Sequence, residues 1–559
     1  MKLIITAINA KYVHTNLAVR YLNSKVKTFI DSEVCEFSIN DTIFDIERNI
    51  ILKKPDIVAF SCYIWNIDMI LKLCSDLKKA NPNIVLILGG PEVSYNSKEL
   101  ISLRFIDFII KGEGEIVFPK LIKAVMKEGD LPEHNITYVN KGVVIDKPIG
   151  KSPDIFNDIP FPYLSEDLSE NKIIYYESSR GCPYSCKYCL SGDNAKVRFK
   201  DVETVQKELD FFDKNNVRLV KFVDRTFNAD KKRAEQIWSY IDSLNGKTRF
   251  HMEITGELLD DATIELLSRI NGNKIQFEIG VQSTNYDTLM SINRKCNTDR
   301  LFNNVRRLLS ETNIHIHLDL IVGLPYETFD IFKNSFNDVL SLRPHVLQIG
   351  FLKLLHGSSM REEAERYGIV YRDFPPYEII SSNYISSEEV IFLKDLDYVF
   401  DKVYNSGSFA SSINFLFERY DDKMEIFNSL INHFRIKQLI GKHISKVDLY
   451  NEVYECFGYY EGFEETLRYD YIVSLHPGRM PLWYLGDGEF KFSEEVYDFL
   501  KNEDYKKEIM PKYYNVPAKA IIKQVRFEKF KDKIVAFDYS DDQIYDVTKY
   551  FKSCSENID

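Results

Sequence analysis

The sequence predicts an α/β protein in which two strand–helix units precede a mostly helical one, and three observations carry that expectation. Short apolar runs ending in Gly or Ser alternate with helical periodicities up to about residue 150. After a stretch marked by Pro153, Pro160 and Pro162, the alternation resumes with strands that are apolar on one face and polar on the other. From about residue 385 the strand pattern largely disappears, and helical periodicity rich in aromatics takes over. The expected domains are therefore 1–150, 151–384 and 385–559, reasonable for 559 residues at roughly 100–200 per domain.

In the first unit, Leu3–Ile8 reads as a buried strand followed by a helix at Leu17–Lys27. Ile57–Ser61 is a second strand, and Ile67–Ala80 a helix with Ile67, Ile70, Leu71 and Cys74 on one face. Ile84–Leu88 runs into Gly89-Gly90-Pro91, and Phe105–Ile110 into Gly112-Glu113-Gly114-Glu115. Such alternation predicts a doubly wound parallel sheet, closed by a hairpin at Ile136–Ile145. Ligands of these sheets lie at the carboxyl ends of the strands. Ser61, Gly89, Gly90 and Gly112 fall there, where a small residue lets a ligand approach the backbone and a turn glycine would look the same.

The second unit offers six strands: Lys172–Glu177, Arg218–Asp224, Arg249–Ile254, Lys274–Val281, Ile314–Val322 and Val346–Leu354. Right-handed crossovers would curl them into a barrel or partial barrel. Gln276, Glu278, Gly280 and Gln282 share one face, as do His251 with Glu253, and His315 with His317 and Asp319. The opposite faces are apolar and suit packing against helices, which leaves a polar lumen. Structural barrels fill their interiors with branched apolar side chains, so a polar interior implies a polar guest.

Composition narrows the class. The chain is 45% apolar and 28% charged, ordinary for a globular protein, and its net charge of −12 argues against a broad nucleic-acid or anionic-membrane surface. No signal peptide or membrane-spanning run is apparent, so the expected location is the cytoplasm. The carboxy-terminal unit shows no catalytic motif, and His476–Pro481 reads there as a loop.

Nine cysteines do not make a disulfide scaffold. Cys35, Cys62, Cys74, Cys296, Cys456 and Cys554 are scattered, but Cys182, Cys186 and Cys189 lie within eight residues, directly after the first strand of the second unit. Three thiolates on one loop can hold an iron–sulfur cluster while leaving one iron without a protein ligand. Structural zinc normally takes four ligands, and no second Cys pair is near. The spacing supports iron over zinc.

Ser179-Arg180-Gly181-Cys182-Pro183-Tyr184-Ser185-Cys186-Lys187-Tyr188-Cys189 resembles the cluster loop of the radical S-adenosylmethionine superfamily. That resemblance implies a partial (βα)6 barrel and a 4Fe-4S cluster whose open iron is chelated by S-adenosylmethionine, giving a 5′-deoxyadenosyl radical on reduction. It also implies contacts to S-adenosylmethionine from Tyr188, from Glu278, Gln282 and Ser283 at the end of strand four, and from Glu253 and Asp319. Internal hydrogen bonding of the lumen is the plainer role for Glu253, Gln282 and Asp319.

A flavodoxin-like (Rossmann-like) sheet ahead of such a barrel resembles the cobalamin-binding subgroup. The segments that carry this are Phe60-Ser61-Cys62-Tyr63, Gly89-Gly90-Pro91-Glu92 and Lys111-Gly112-Glu113-Gly114-Glu115. The implied cobalamin-contacting residues are Ser61, Cys62, Tyr63, Gly89, Gly90, Glu92 and Gly112. The Asp-x-His-x-x-Gly signature is absent after the first strand, where Asn9–Asn16 supplies only His14, better suited to loop hydrogen bonding than to cobalt. The carboxy-terminal unit resembles an uncharacterised extension found in one branch of the subgroup. The resemblance implies methyl transfer to an unactivated carbon. A cyclisation or rearrangement with the same cofactors is the second reading, and a non-catalytic cobalamin or iron–sulfur sensor the third. A small metabolite, lipid precursor or peptide would serve as substrate, with flavodoxin or ferredoxin as electron donor.

Overall fold

The computed structural model describes residues 1–150, 156–164, 168, 171–190, 196–476, 481, 483, 494–531 and 533–551. Pro153, most of the His476–Pro481 segment and Cys554 lie outside them. By internal contacts the chain forms two compact units, Met1–Leu393 and Lys394–Asp559.

The first unit begins with a seven-stranded sheet. Its strands are β1 (Lys2–Asn9), β2 (Asp31–Ser38), β3 (Ile57–Ser61), β4 (Val85–Gly89), β5 (Phe108–Ile110), β6 (Ile136–Asn140) and β7 (Val143–Asp146), in the order β2-β1-β3-β4-β5-β6-β7. The first five are parallel, and the β6–β7 hairpin adds antiparallel to β5. Every residue of β3 is buried, as expected of a strand covered on both faces. The helix Ile67–Ala80 buries Ile67, Ile70, Leu73, Cys74 and Leu77, a stripe at helical spacing. The sequence reading passed over β2 because its alternation is weak: Asp31, Ser32, Glu33 and Glu36 interrupt an edge strand of which only Cys35 and Ser38 are buried.

The barrel sheet follows. β8 (Ile173–Tyr176) leads into a clasp of two short antiparallel strands, β9 (Ser179–Arg180) and β10 (Arg198–Phe199). Then come β11 (Leu219–Phe222), β12 (Arg249–Ile254), β13 (Ile275–Gln282), β14 (His315–Val322) and β15 (Val346–Phe351). All six long strands pair in parallel in the order β8-β11-β12-β13-β14-β15, which is the open (βα)6 arrangement. Helices cover the outer face, where Phe250, Met252, Phe277, Ile316 and Leu318 are fully buried. A small ribbon, β16 (Val370–Tyr371) with β17 (Ile379–Ser381), completes the unit.

The second unit is built mainly from helices, among them Met424–Ile436, Lys446–Phe457 and Phe463–Leu475, around Phe427, Leu430, Phe434, Phe457 and Leu467. It also contains a three-stranded antiparallel sheet, β18 (Val525–Lys529), β19 (Ile534–Asp538) and β20 (Gln543–Asp546). Sequence patterning missed it because β19 is buried throughout and so shows no alternation. The buried Arg468–Glu528 ion pair ties helix to sheet. Among the described residues no helix is long and apolar enough to cross a membrane.

Candidate functional site

The cysteine loop springs from the carboxyl end of β8 through Gly181, whose φ of 104° suits a residue without a Cβ. Its root is clamped by the fully buried Asp224 just beyond β11. Asp224 accepts from the Ser178 amide at 2.8 Å and from the Ser178 and Ser179 hydroxyls at 2.6 Å each. Farther along, the Asn293 side chain donates to Ser185, Lys187 N–H to Ile292 and Met360 N–H to the Lys187 carbonyl. Cys189 N–H donates to the Cys186 carbonyl at 3.0 Å, which folds the last two cysteines into one turn. Cys182 lies 3.4 Å from the Thr226 hydroxyl and, like Cys189, is half-buried, whereas Cys186 is buried. Burial pushes the Cys186 thiol up, and the adjacent Arg294 guanidinium opposes that. None of the described cysteines is in a disulfide.

Inside the barrel the polar faces meet in register. Lys221 pairs with His251, Glu253 with Glu278, Glu278 with His317, and Gly280 with Asp319. Glu278 receives His251 Nε2 at 2.7 Å and Lys221 Nζ at 3.1 Å, and these partners outweigh burial and hold it below the usual carboxylate range. Burial raises Glu253, with Arg225 opposing. Burial raises Asp319 more strongly, and the neighbouring Glu278 and Glu253 add to it, while Lys221 and Arg294 oppose. Its Oδ1 is buried without a partner. Burial also lowers His315 and His317 to about 4, leaving both imidazoles neutral. The lumen thus combines fixed charges at Lys221 and Glu278 with an unsatisfied carboxyl.

β13 departs from regular alternation where it reaches the site. The β13–β14 register shifts between Gly280 and Gln282, and Gln282 has a φ of 72°. A β-bulge of this kind re-aims a side chain, and left-handed non-glycine backbone is found where surroundings enforce it. Here the Gln282 amide folds back over Gly280 and takes up the space a Cβ would fill. Arg294 Nη2 donates to the Gly280 carbonyl, while its Nε is buried without a partner. The nearby Tyr188 and Cys186 favour its charge against burial. Tyr188, whose phenol burial pushes up, is thereby packed among Cys186, Cys189 and Arg294.

Ser283 is not brought to the lumen with the other expected residues. Past the bulge it is fully buried, with its hydroxyl 3.5 Å from Ser335 and accepting from Asn285 N–H, so it does not face the lumen. The same cluster holds Glu327, pushed up to about 8 by burial, with Oε2 unpartnered. Between about pH 4.5 and 8 its carboxyl is protonated in the folded chain and ionised in the unfolded one. Its stability contribution is therefore full below about pH 4.5 and is lost as pH rises through about 8. Glu327→Gln is expected to flatten the decline of the unfolding midpoint over that window in thermal melts. A variant with the parental slope would rule the assignment out.

At the carboxyl edge of the first sheet, four loops converge. Ser61 accepts from Asn16 Nδ2 at 3.2 Å. Tyr63 stacks on Trp65 with centroids 4.4 Å apart. Gly90, at φ 118°, passes so close to Cys62 that a Cβ would lie 2.5 Å from its carbonyl oxygen. Gly89 ends β4, and Gly112, at φ 68°, donates its N–H to Ser94 Oγ. Two more of the expected residues are buried here. Cys62 is fully buried with its thiol on the Phe60 carbonyl, and Glu92 is buried and accepts from the Tyr377 hydroxyl at 2.5 Å. His14 packs edge-on against Tyr175 of the barrel, and the neighbouring Thr15 donates to the Ile173 carbonyl.

These loops also join sheet to barrel: the loop after β1 meets β8, Glu92 meets Tyr377, and Glu113 and Glu115 meet Arg180 and Arg198. The two carboxyl edges, each the ligand-binding edge of its fold, therefore adjoin. Residues missed in the sequence are Lys221, Asp224, Thr226 and Arg294. Lys221 carried a usable signal, a lysine on the inward face of an apolar strand, whereas Arg294 lies in a loop with no pattern.

A parallel sheet with a cofactor edge, set against an open (βα)6 barrel with three thiols on its first loop, defines a two-cofactor radical enzyme architecture. The comparisons agree: residues 3–122 match the B12 binding domain and residues 176–339 the Radical SAM superfamily. Residues 365–549 match a family described as protein of unknown function (DUF4080). The chain belongs to the radical S-adenosylmethionine enzymes that carry a cobalamin-binding domain, whose cofactors are a 4Fe-4S cluster, S-adenosylmethionine and cobalamin.

The cobalamin-dependent radical SAM methyltransferase TokK of Streptomyces tokunonensis is 26% identical over 352 residues, 56% of this chain and 50% of that protein. The anaerobic magnesium-protoporphyrin IX monomethyl ester cyclase of Synechocystis is 27% identical over 274 residues, 44% of this chain and 51% of that protein. The chain thus spans about half the length of these relatives. The cobalamin-dependent S-adenosylmethionine radical enzyme OxsB has the same fold, with a TM-score of 0.61, 16% identity and coverage of 85% of this chain and 80% of that one.

The residues fit the cofactors. Three soft thiolates on one loop suit iron, and the unpartnered Asp319 oxygen and Arg294 Nε suit a ligand bearing both ammonium and carboxylate groups.

Proposed function

We propose that this chain transfers a methyl group to an unactivated carbon, using cobalamin and a radical derived from S-adenosylmethionine. The observation that carries this is the juxtaposition of the cysteine loop with the loop after β5, through Arg180, Arg198, Glu113 and Glu115. When bound, the cluster supplies the electron that cleaves S-adenosylmethionine, and cobalamin supplies the methyl group.

The chain's own groups then have definable tasks. Cys182, Cys186 and Cys189 hold the cluster. Arg294 offers its free N–H to a carboxylate, and Asp319 and Glu253 receive an ammonium or hydroxyl. The Gln282 amide covers the approach at Gly280. Ser61, Tyr63, Gly89, Gly90 and Gly112 line the edge offered to cobalamin. The substrate belongs to the class of small metabolites, lipid precursors or peptides, and flavodoxin or ferredoxin serves as reductant in the cytoplasm.

Comparable identity to a cyclase favours one second reading, a ring-forming reaction with the same cofactors. Anaerobic incubation with S-adenosylmethionine and reductant tests both. 5′-Deoxyadenosine is expected, and its absence would rule out radical chemistry of either kind. S-Adenosylhomocysteine together with a methylated product selects methyl transfer. Radical turnover without S-adenosylhomocysteine selects the alternative.

A further inference from the structure

Arg180 and Arg198 face each other across the β9–β10 clasp that closes both ends of the cysteine loop. Their guanidinium groups converge on one carboxylate: Glu113 lies 3.2 Å from Arg180 and forms a two-point pair with Arg198. Arg180 also reaches Glu115 at 2.7 Å and Glu177 at 2.8 and 2.7 Å. The side chains concerned are only 10–24% exposed. Although burial opposes charge, the arginines hold Glu113 below its ordinary range, and Glu177 and Glu115 hold Arg180 above its own.

Glu177 is local to the clasp, but Glu113 and Glu115 come from the loop after β5 of the other domain. Buried ion pairs add little net stability over apolar packing, and their best-attested use is to fix one arrangement of parts. Two-point pairing of arginine with carboxylate adds a set direction. The clasp itself has just two residue pairs, too few to hold a loop in place alone.

We propose that Glu113 and Glu115 are positioning residues for the iron–sulfur loop, supplied by the cobalamin-binding domain. Through Arg180 and Arg198 they fix the clasp from which Cys182, Cys186 and Cys189 hang. This rests on the reading that these cysteines hold the cluster.

The test uses the full-length protein and two variants, the double Glu113→Gln, Glu115→Gln and the charge exchange Glu113→Arg, Arg198→Glu. Hydrogen exchange of the clasp amides is measured without cofactors, and iron content and the electron paramagnetic resonance spectrum after anaerobic reconstitution. In the double variant, exchange at 179–180 and 198–199 is expected to rise at least tenfold and iron content to fall by half or more. The charge exchange should restore both. Parental exchange rates in the double variant, or failure of the charge exchange to restore them, would overturn the proposal. If the double variant does not fold, the charge exchange alone decides by the same readouts. The apo-protein measurement is independent of the cluster assignment, which the separate Cys182→Ala variant tests through iron content.

Discussion

Replacing Cys186 with alanine is expected to eliminate the visible absorption of the iron–sulfur cluster and reduce 5′-deoxyadenosine formation to background. Of the three cysteines it is the buried one, and its thiol lies beside Arg294 and Tyr188. Removal deletes one of three ligands and leaves the largely buried Arg294 charge without a thiolate. Cys182→Ala and Cys189→Ala should behave alike, whereas Cys74→Ala, deep in the core of the first sheet, should keep both iron and activity. The check is the ultraviolet–visible spectrum and iron content of anaerobically reconstituted protein. A Cys186→Ala protein with a full cluster would refute the ligand assignment.

Asp224→Ala should have the second-largest effect, on both folding and the cluster loop. Its carboxylate satisfies three donors at the loop root, and Arg233, which donates to the Ser178 carbonyl, stands close enough to feel its charge. Deleting a buried acceptor costs about 1–3 kcal/mol for each donor left unpaired, so for three donors a total of roughly 3–9 kcal/mol follows. That is a large fraction of ordinary folding stability, about 5–15 kcal/mol. The melting temperature should fall by several degrees, and iron occupancy should fall with it. Asp224→Asn retains an acceptor oxygen and should lose less. An unchanged melting temperature in Asp224→Ala would remove the clamp from the account.

The alternating units, most of their strands and the cysteine loop are legible in the sequence because each is local. β3, β12 and the helix Ile67–Ala80 have the same ends in the sequence reading and in the structure. The polar faces of β12, β13 and β14 follow from the period-2 geometry of strands, and Glu253, Glu278 and His317 stand in register as that geometry requires. The pattern fails at Gln282 and Ser283, where one bulge changes the direction of every later side chain. Nor does the pattern disclose the partners of Glu92 and Cys62, since a strand-end position does not fix which way its side chain will turn.

What the sequence determined by itself is the chemistry on offer: three soft thiolates after a strand, a polar-faced barrel, and a parallel sheet ahead of it. Spacing along the chain suffices there, because the groups are neighbours or share one strand. Tertiary structure alone decided which distant groups attend that chemistry. Lys221 and His251 reach Glu278 from neighbouring strands, Arg294 arrives from a loop more than 100 residues past Cys186, and Glu113 crosses from another domain to meet Arg180. Ion pairs and hydrogen bonds act through a few ångströms of space, and a linear pattern records no such distance.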